Sequence, residues 1–312
     1  MNKKIKASLI ISLIVLLLSV ASVCGNIIYG YQFEKTYAAN YENKLARLKE
    51  LDESKAVFIG GSSCLFGVHS STFEQEMGMP TVNMAISAGI PMKFYLDSVF
   101  PYLNAGDKLF LCYEYGYYGT DWNLIGESGI NFLLYQDGSV FSKQNKLNLL
   151  KAMPEYLTVG WKNWENFAQE WVKTSILGGY GVYRRDSINT QGDMIAHKDL
   201  SNESTIEETV IPEYLESTII SFEKYISAIK AKGVDIYIGF QPVSVNRYEN
   251  SKHAIEDIYE RLSSIDGIKI LGLPTDYVYP IDCFFDSENH LDYSTGCIHT
   301  TNLLRNYEEG IE

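Results

Sequence analysis

Histidine and cysteine are scarce in this chain of 312 residues, with five of each. The cysteines (Cys24, Cys64, Cys112, Cys283, Cys297) are scattered and no CxxC pair occurs, which excludes a disulfide framework and a zinc-type site. No metal or cofactor is expected. Cys112 reads as a buried strand residue, and Cys283 with Cys297 is left open as a pair. Basic charge is also short: 26 Lys and Arg face 39 Asp and Glu, for a net charge of -13. Setting aside the three lysines near the N-terminus leaves 23 bases and a net charge of -16, a surface that repels nucleic-acid phosphates. Internal repeats and low-complexity tracts are absent as well, so neither a solenoid nor a disordered chain is indicated.

What is present begins with one long apolar run. Lys3, Lys4 and Lys6 precede an uncharged stretch from Ala7 to Gly25, and the next charge is Glu34. That length matches a bilayer core, and the lysines place the N-terminus inside and the rest of the chain outside. The length favours a retained signal anchor over a cleaved signal peptide; small residues near Ala21 are the feature that cleavage would use. Lipidation at Cys24 is disfavoured by Val23 just before it. Residues 26–54, rich in Lys, Glu, Ala and Leu from residue 34, are expected to form a helical linker or stalk.

From residue 55 onward, short apolar runs alternate with amphipathic segments. Strands are expected at Ala56–Ile59, Thr81–Ile86, Lys108–Tyr113, Val234–Phe240 and Gly267–Leu271. Helices are expected at Met92–Leu103, Ile211–Lys232 and His253–Ser264. This alternation predicts an α/β fold, a parallel sheet with helices on both faces, whose site lies at the carboxyl ends of the strands. The alternation lapses between about 118 and 209, where all four tryptophans fall (Trp122, Trp161, Trp164, Trp171), so an aromatic-rich insertion is expected there. Trp161, Trp164, Ala168 and Trp171 recur at helical spacing, the pattern of a helix burying an aromatic stripe; a sugar-stacking or partner-facing surface is the alternative.

Two segments carry candidate chemistry. In the first, Val57 to Gly67, a strand runs into Gly60-Gly61 and then Ser62-Ser63, so that a hydroxyl meets a sharp turn and a helix start. In the second, Phe285 to Gly296, Asp286 and His290 share one short acidic loop. A serine hydroxyl is a poor nucleophile until a base takes its proton, and the base needs an acid to fix its tautomer. Ser63 is the lesser candidate nucleophile. His299 reads as a packing or capping residue, and His69, His197 and His253 as surface. Glu114, ending the third strand, either binds a substrate hydroxyl or accepts a structural hydrogen bond. Arg184 and Arg185 are candidates for meeting an anionic group, or are solvated.

The order of strand, Gly-x-Ser, a short strand ending in Asn83-x-x-x-Ser87-x-Gly89, and a distal Asp286…His290-Leu291 with a terminal helix resembles the SGNH (GDSL-like) hydrolase superfamily. The likeness is greatest to its membrane-tethered branch, which includes the D-alanyl transfer protein of teichoic acid modification and alginate-type O-acetylation proteins. The resemblance implies Ser62 as nucleophile, His290 as base and Asp286 as its orienting acid. It assigns oxyanion or substrate binding to Gly61, Gly89, Asn83 and Glu114, with the N–H groups of Ser62 and Gly89 as donors. Two features depart from the secreted esterases. Tyr113-Glu114-Tyr115-Gly116 supplies no Asn after the third strand, a lost donor worth about 3 kcal/mol. Asp286 and His290 stand four steps apart rather than three, a spacing the tethered branch shares.

The implied function is handling of an acyl group, acetyl above all, on a cell-envelope glycan or teichoic polymer, with water or a sugar hydroxyl as acceptor. Two alternatives remain: a catalytically weak partner of a polytopic membrane O-acyltransferase, and an anchored glycan-binding protein in which the fold is silent.

Overall fold

A computed structural model describes residues 3–122, 127–136, 146–172, 181–202, 204 and 209–310. The chain divides into two compact units, Met1–Ala39 with Ile125–Arg185 and Asn40–Leu124 with Asp186–Glu312. The stretch expected as a single insertion is therefore shared between them.

The second unit is built on strands β1 (Ala56–Gly60), β2 (Thr81–Asn83), β3 (Lys108–Cys112), β4 (Asp235–Ile238) and β6 (Lys269–Ile270). They form one parallel sheet in the order β2-β1-β3-β4-β6. A separate parallel pair joins β5 (Val243–Ser244) to β7 (Val278–Tyr279). Helices α2 (Tyr41–Glu50), α3 (Ser62–Gly67), α4 (Ser70–Met77), α5 (Met92–Val99), α8 (Glu216–Lys230), α9 (Val245–Ser263) and α10 (Tyr293–Glu309) flank the sheet.

The central strands are apolar apart from Lys108 and Asp235 at the starts of β3 and β4, because both faces are covered. Side chains alternate across a strand, so Phe58, Phe110 and Tyr237, register partners on β1, β3 and β4, fall on one face. Their rings stack in a row, 4.5 Å from Phe58 to Phe110 and 5.0 Å from Phe110 to Tyr237, and Phe73 of α4 meets Phe58 edge-on at 4.7 Å. Such pairs contribute roughly 0.5–1.5 kcal/mol each beyond the area they bury. Val57, Ile59, Leu109, Leu111, Ile236 and Ile238 fill the other face. At the amino edge, Lys55 and Asp107 are buried together at 3.1 Å. Asp107 also accepts the N–H groups of Lys55 and Asn104 at 3.1 and 2.8 Å. The ion pair ties the starts of β1 and β3 at the end opposite the candidate site.

The expected stalk is a packed element instead. Tyr41, Lys44 and Leu48 of α2 recur at i, i+3 and i+7 and are buried in the sheet unit. Lys44 donates to the Ala85 carbonyl, and Arg47 donates to that of Thr81 at 3.1 Å and pairs with Glu74 at 2.7 Å. Burial pulls the Lys44 ammonium down to about 7, partly offset by Asp193.

The other unit holds α1 (Lys3–Phe33), α6 (Glu127–Gln136) and α7 (Lys146–Val172). Over Lys4–Gly30, α1 is long and apolar enough to cross a membrane. α1 and α7 cross closely because small residues meet there. A Cβ on Gly25 would stand 2.0 Å from the Gly160 carbonyl oxygen, and one on Gly160 would stand 2.2 Å from that of Ser22. Asn26, Asn163 and Asn131 form a buried chain of amides, with bonds of 2.8 Å from Asn163 to Asn26 and of 3.1 and 2.8 Å exchanged between Asn131 and Asn163. Tyr135 adds its hydroxyl to the Asn26 carbonyl. The expected aromatic stripe is only partly buried: Trp164 packs on Gly25, whereas Trp161 and Trp171 are exposed. Arg185 pairs with Glu34 at 2.8 Å, within this unit.

Candidate active site

β1 ends at Gly60 and α3 begins at Ser62, so the chain turns between them in a single residue. Both glycines are sterically required. A Cβ on Gly60 would lie 2.2 Å from the Cys112 carbonyl oxygen, and one on Gly61 would lie 2.4 Å from each Glu114 carboxylate oxygen and 2.7 Å from the Ala88 nitrogen. Glu114, just past β3, accepts the N–H groups of Gly61 and Ser63 at 2.9 Å each. One buried carboxylate thus clamps both neighbours of Ser62 and satisfies donors that the first turn of a helix leaves open. Burial raises the Glu114 carboxyl above its ordinary range, and its N–H partners pull the other way.

Ser62 is half-buried, whereas Ser63 is fully enclosed, which leaves Ser62 as the hydroxyl that a substrate can reach. Ser62 and Phe66 stand four residues apart on α3 and share a face. No hydrogen bond between Ser62 Oγ and the His290 ring is present among the described residues. The His290 ring stacks on Phe66, with centroids 4.2 Å apart and planes 10° apart.

His290 is held from its other side by its own loop. Phe284 and Leu291 form an antiparallel bridge, and Phe285 donates its N–H to the His290 carbonyl at 2.7 Å. The closed loop sets Asp286 Oδ1 2.7 Å from His290 Nδ1. With Nδ1–H donated to the carboxylate, Nε2 is left as the basic nitrogen. Glu288, buried on the same loop, takes the Ser244 hydroxyl at 2.7 Å and fixes the loop to the start of α9. Asp292 caps α10 by accepting the Thr295 N–H at 2.8 Å.

Neither a family model nor a curated protein matches the chain.

Other residues singled out in the sequence occupy different places from those expected. Asn83 is fully buried and its amide is used up inside: it accepts from Ala85 N–H at 3.0 Å and donates to Asp193 at 3.1 Å and to the Cys64 carbonyl at 3.4 Å. It ties the residues after β2 to α3 and Asp193. The Gly89 N–H is taken by Ser87 Oγ at 3.2 Å. By contrast, the N–H groups of Ser62 and Ala88 have no acceptor among the described residues, and Ala88 N adjoins Gly61. Glu114 is a backbone clamp, with both oxygens committed.

His253 is on the surface, as expected, but His69 and His197 are buried. The segment 186–202 folds back onto the sheet unit, and His197 lies among Phe66, Phe285 and Tyr293. Its burial pulls the imidazole down to about 4, and that of His299 pulls it down to about 3. His69 is lowered by burial too. His299 packs on Tyr277 and Tyr279, in keeping with a packing role. Cys283 and Cys297 are free thiols.

Three contributors were not singled out in the sequence. Phe66 carries the only signal that spacing could have given, four residues after Ser62. Gln241 follows β4 and accepts the Tyr115 N–H through Oε1 at 2.7 Å, bracing the residue after Glu114. Glu288 looked like one more acid in an acidic loop.

Proposed function

We propose that the sheet unit is a serine acyl-handling enzyme of the SGNH kind, in which Ser62 attacks an ester, His290 takes its proton through Nε2 and Asp286 holds the imidazolium. The observation that carries this reading is the 2.7 Å Asp286–His290 bond, on a ring stacked against Phe66, which follows Ser62 by four residues on α3. The Ser62 and Ala88 N–H groups are the oxyanion donors in this account, in place of Gly89. Such donors act where charge develops, and losing one costs about 10²–10³ in rate. The tetrahedral intermediate expels its alcohol, which takes the proton from His290. The acyl-enzyme then passes its acyl group to water or to a sugar hydroxyl of an envelope polymer, with His290 taking the acceptor's proton and returning it to Ser62. The N-terminal apolar helix supports an extracytoplasmic, membrane-tethered site, where such polymers lie.

A second reading, a weakly active partner of a polytopic O-acyltransferase, draws on one observation. Glu114 lies just past β3, in the segment aligned with the Asn donor of the secreted esterases that the sequence resembles, and it accepts hydrogen bonds instead of offering one.

The test is release of nitrophenol from an aryl acetate by the full-length protein in detergent. A burst stoichiometric with enzyme, absent from Ser62→Ala and His290→Ala, is the expected result. A folded protein with no burst favours the partner reading, and a burst that survives Ser62→Ala rules out this nucleophile.

A further inference from the structure

From Met84 to Ile90, the segment after β2, every backbone N–H but one has an acceptor among the described residues. Met84 donates to the Phe58 carbonyl at 2.8 Å and Ala85 to Asn83 Oδ1 at 3.0 Å. Ile86 and Ser87 both donate to the Tyr95 hydroxyl, at 3.2 and 3.0 Å. Gly89 donates to Ser87 Oγ at 3.2 Å and Ile90 to the Ser87 carbonyl at 3.1 Å. The exception is Ala88, which is exposed. Native chains pair nearly all their backbone groups, so a run of seven residues with one N–H left over singles that group out.

The peptide unit between Ser87 and Ala88 accounts for the exception. It is trans, and a planar trans peptide points its N–H opposite to its C=O. Three donors hold that C=O: the Tyr95 hydroxyl at 3.0 Å, the Tyr117 hydroxyl at 3.1 Å and the Ile90 N–H at 3.1 Å. Tyr95, on α5, is fully enclosed, and Tyr117, just past β3, is buried. The Ser87 carbonyl is therefore turned into the protein and the Ala88 N–H outward. The Ala88 nitrogen adjoins Gly61, on which a Cβ would stand 2.7 Å away from it. The Tyr95 oxygen is saturated, since it accepts two N–H groups and gives its single proton to Ser87. Tyr117 shares its proton with the Ile90 carbonyl at 2.9 Å, and Lys44 fixes the start of the segment through the Ala85 carbonyl.

We infer that Tyr95 and Tyr117 are positioning residues for the oxyanion site: by pinning the Ser87 carbonyl inward they hold the Ala88 N–H outward, ready for the charge that develops on the ester oxygen. This rests on the reading of Ser62 as nucleophile and Ala88 as donor. Without the phenols the peptide unit is free to turn over, which would offer a carbonyl oxygen where a donor is needed. A donor that acts on developing charge favours the transition state over the bound ester, so its loss falls on the acylation rate constant and spares ester affinity.

The experiment is single-turnover acylation of the full-length protein in detergent by an aryl acetate, over a range of ester concentrations, with Tyr95→Phe, Tyr117→Phe and Tyr277→Phe beside wild type. In Tyr95→Phe the rate constant at saturating ester should fall by about 10–100-fold, less than removal of a donor outright, with ester affinity changed by less than about threefold. Tyr117→Phe should show the same split and a smaller fall, because Tyr95 and Ile90 still hold the Ser87 carbonyl. Tyr277 is an equally buried phenol that donates to the Leu271 carbonyl and accepts from Asn306 at 2.7 and 2.8 Å, beyond β6 at the opposite edge of the sheet. Tyr277→Phe should lower the urea midpoint and leave acylation as in wild type. Wild-type acylation by folded Tyr95→Phe, an equal slowing in Tyr277→Phe, or a loss confined to ester affinity would overturn the inference. If Tyr95→Phe does not fold, Tyr117→Phe decides by the same split. Absence of Ser62 acylation in wild type would instead remove the reading beneath the inference, whereas phenol variants that match an active wild type refute the inference alone.

Discussion

Gly61 shows how little freedom the candidate nucleophile turn has. A methyl group there collides with both oxygens of Glu114, so Gly61→Ala should expel the carboxylate and unfasten Ser62. The expected result is a loss of roughly 1–3 kcal/mol in urea denaturation, together with loss of the acetate burst. Asp286→Asn keeps the size of the side chain but no longer holds Nδ1–H in place; single-turnover acylation should slow by about 10³–10⁴-fold with the fold intact. The buried histidines make a separate prediction. Burial lowers the folded-state values of His69, His197 and His299 below those of the unfolded chain, so the unfolded state binds more protons between about pH 6.5 and 4. The histidines' contribution to stability is therefore full above that window and declines as pH falls through it. Glu114, raised by burial, pulls the other way with a single proton. The unfolding free energy from urea titrations at pH 7, 6 and 5 should fall as the pH falls. His197→Phe, which places a phenyl ring among Phe66, Phe285 and Tyr293, should flatten that slope.

Among the elements, the parallel sheet was plain in the sequence, because strands buried on both faces read as unbroken apolar runs: Val57-Phe58-Ile59, Leu109-Phe110-Leu111 and Ile236-Tyr237-Ile238. The pairing of Asp286 with His290 was equally legible, since a single short loop supplies both. Other features were not. The α2 segment looks polar in composition, and only packing against β2 and α5 makes its Tyr41, Lys44 and Leu48 face an inward one. The N–H of Gly89 is consumed by a local turn to Ser87, a competition that a motif does not display. The Lys55–Asp107 pair was also invisible, since no spacing pattern marks two charges that meet only once β1 and β3 align. Asp107→Ala leaves Lys55 buried and unpaired and should cost about 3–5 kcal/mol in urea denaturation. In the helical unit, Gly160→Leu forces a side chain into the Ser22 carbonyl and should part α7 from α1, seen as faster proteolysis within residues 153–172.

At the scale of the whole molecule, the N-terminal helix bears on how the protein is made as well as where it sits. Ser22, Gly25 and Asn26, beside the small residues that a signal peptidase would need, are packed against α7, so the account expects the mature protein to keep its N-terminus. Intact mass of the purified membrane form should correspond to the full chain and not to one starting near residue 22. The sequence left this open because the apolar run alone fits an anchor and a leader equally, and the partner helix lies more than a hundred residues away. The central claim is chemical, and covalent trapping tests it most directly. Full-length protein treated with a fluorophosphonate and digested should carry one adduct, on the peptide containing Ser62, and His290→Ala should lose it. An adduct on another serine, or labelling of Ser62 that persists without His290, would contradict the assignment of Ser62, His290 and Asp286 as one catalytic unit.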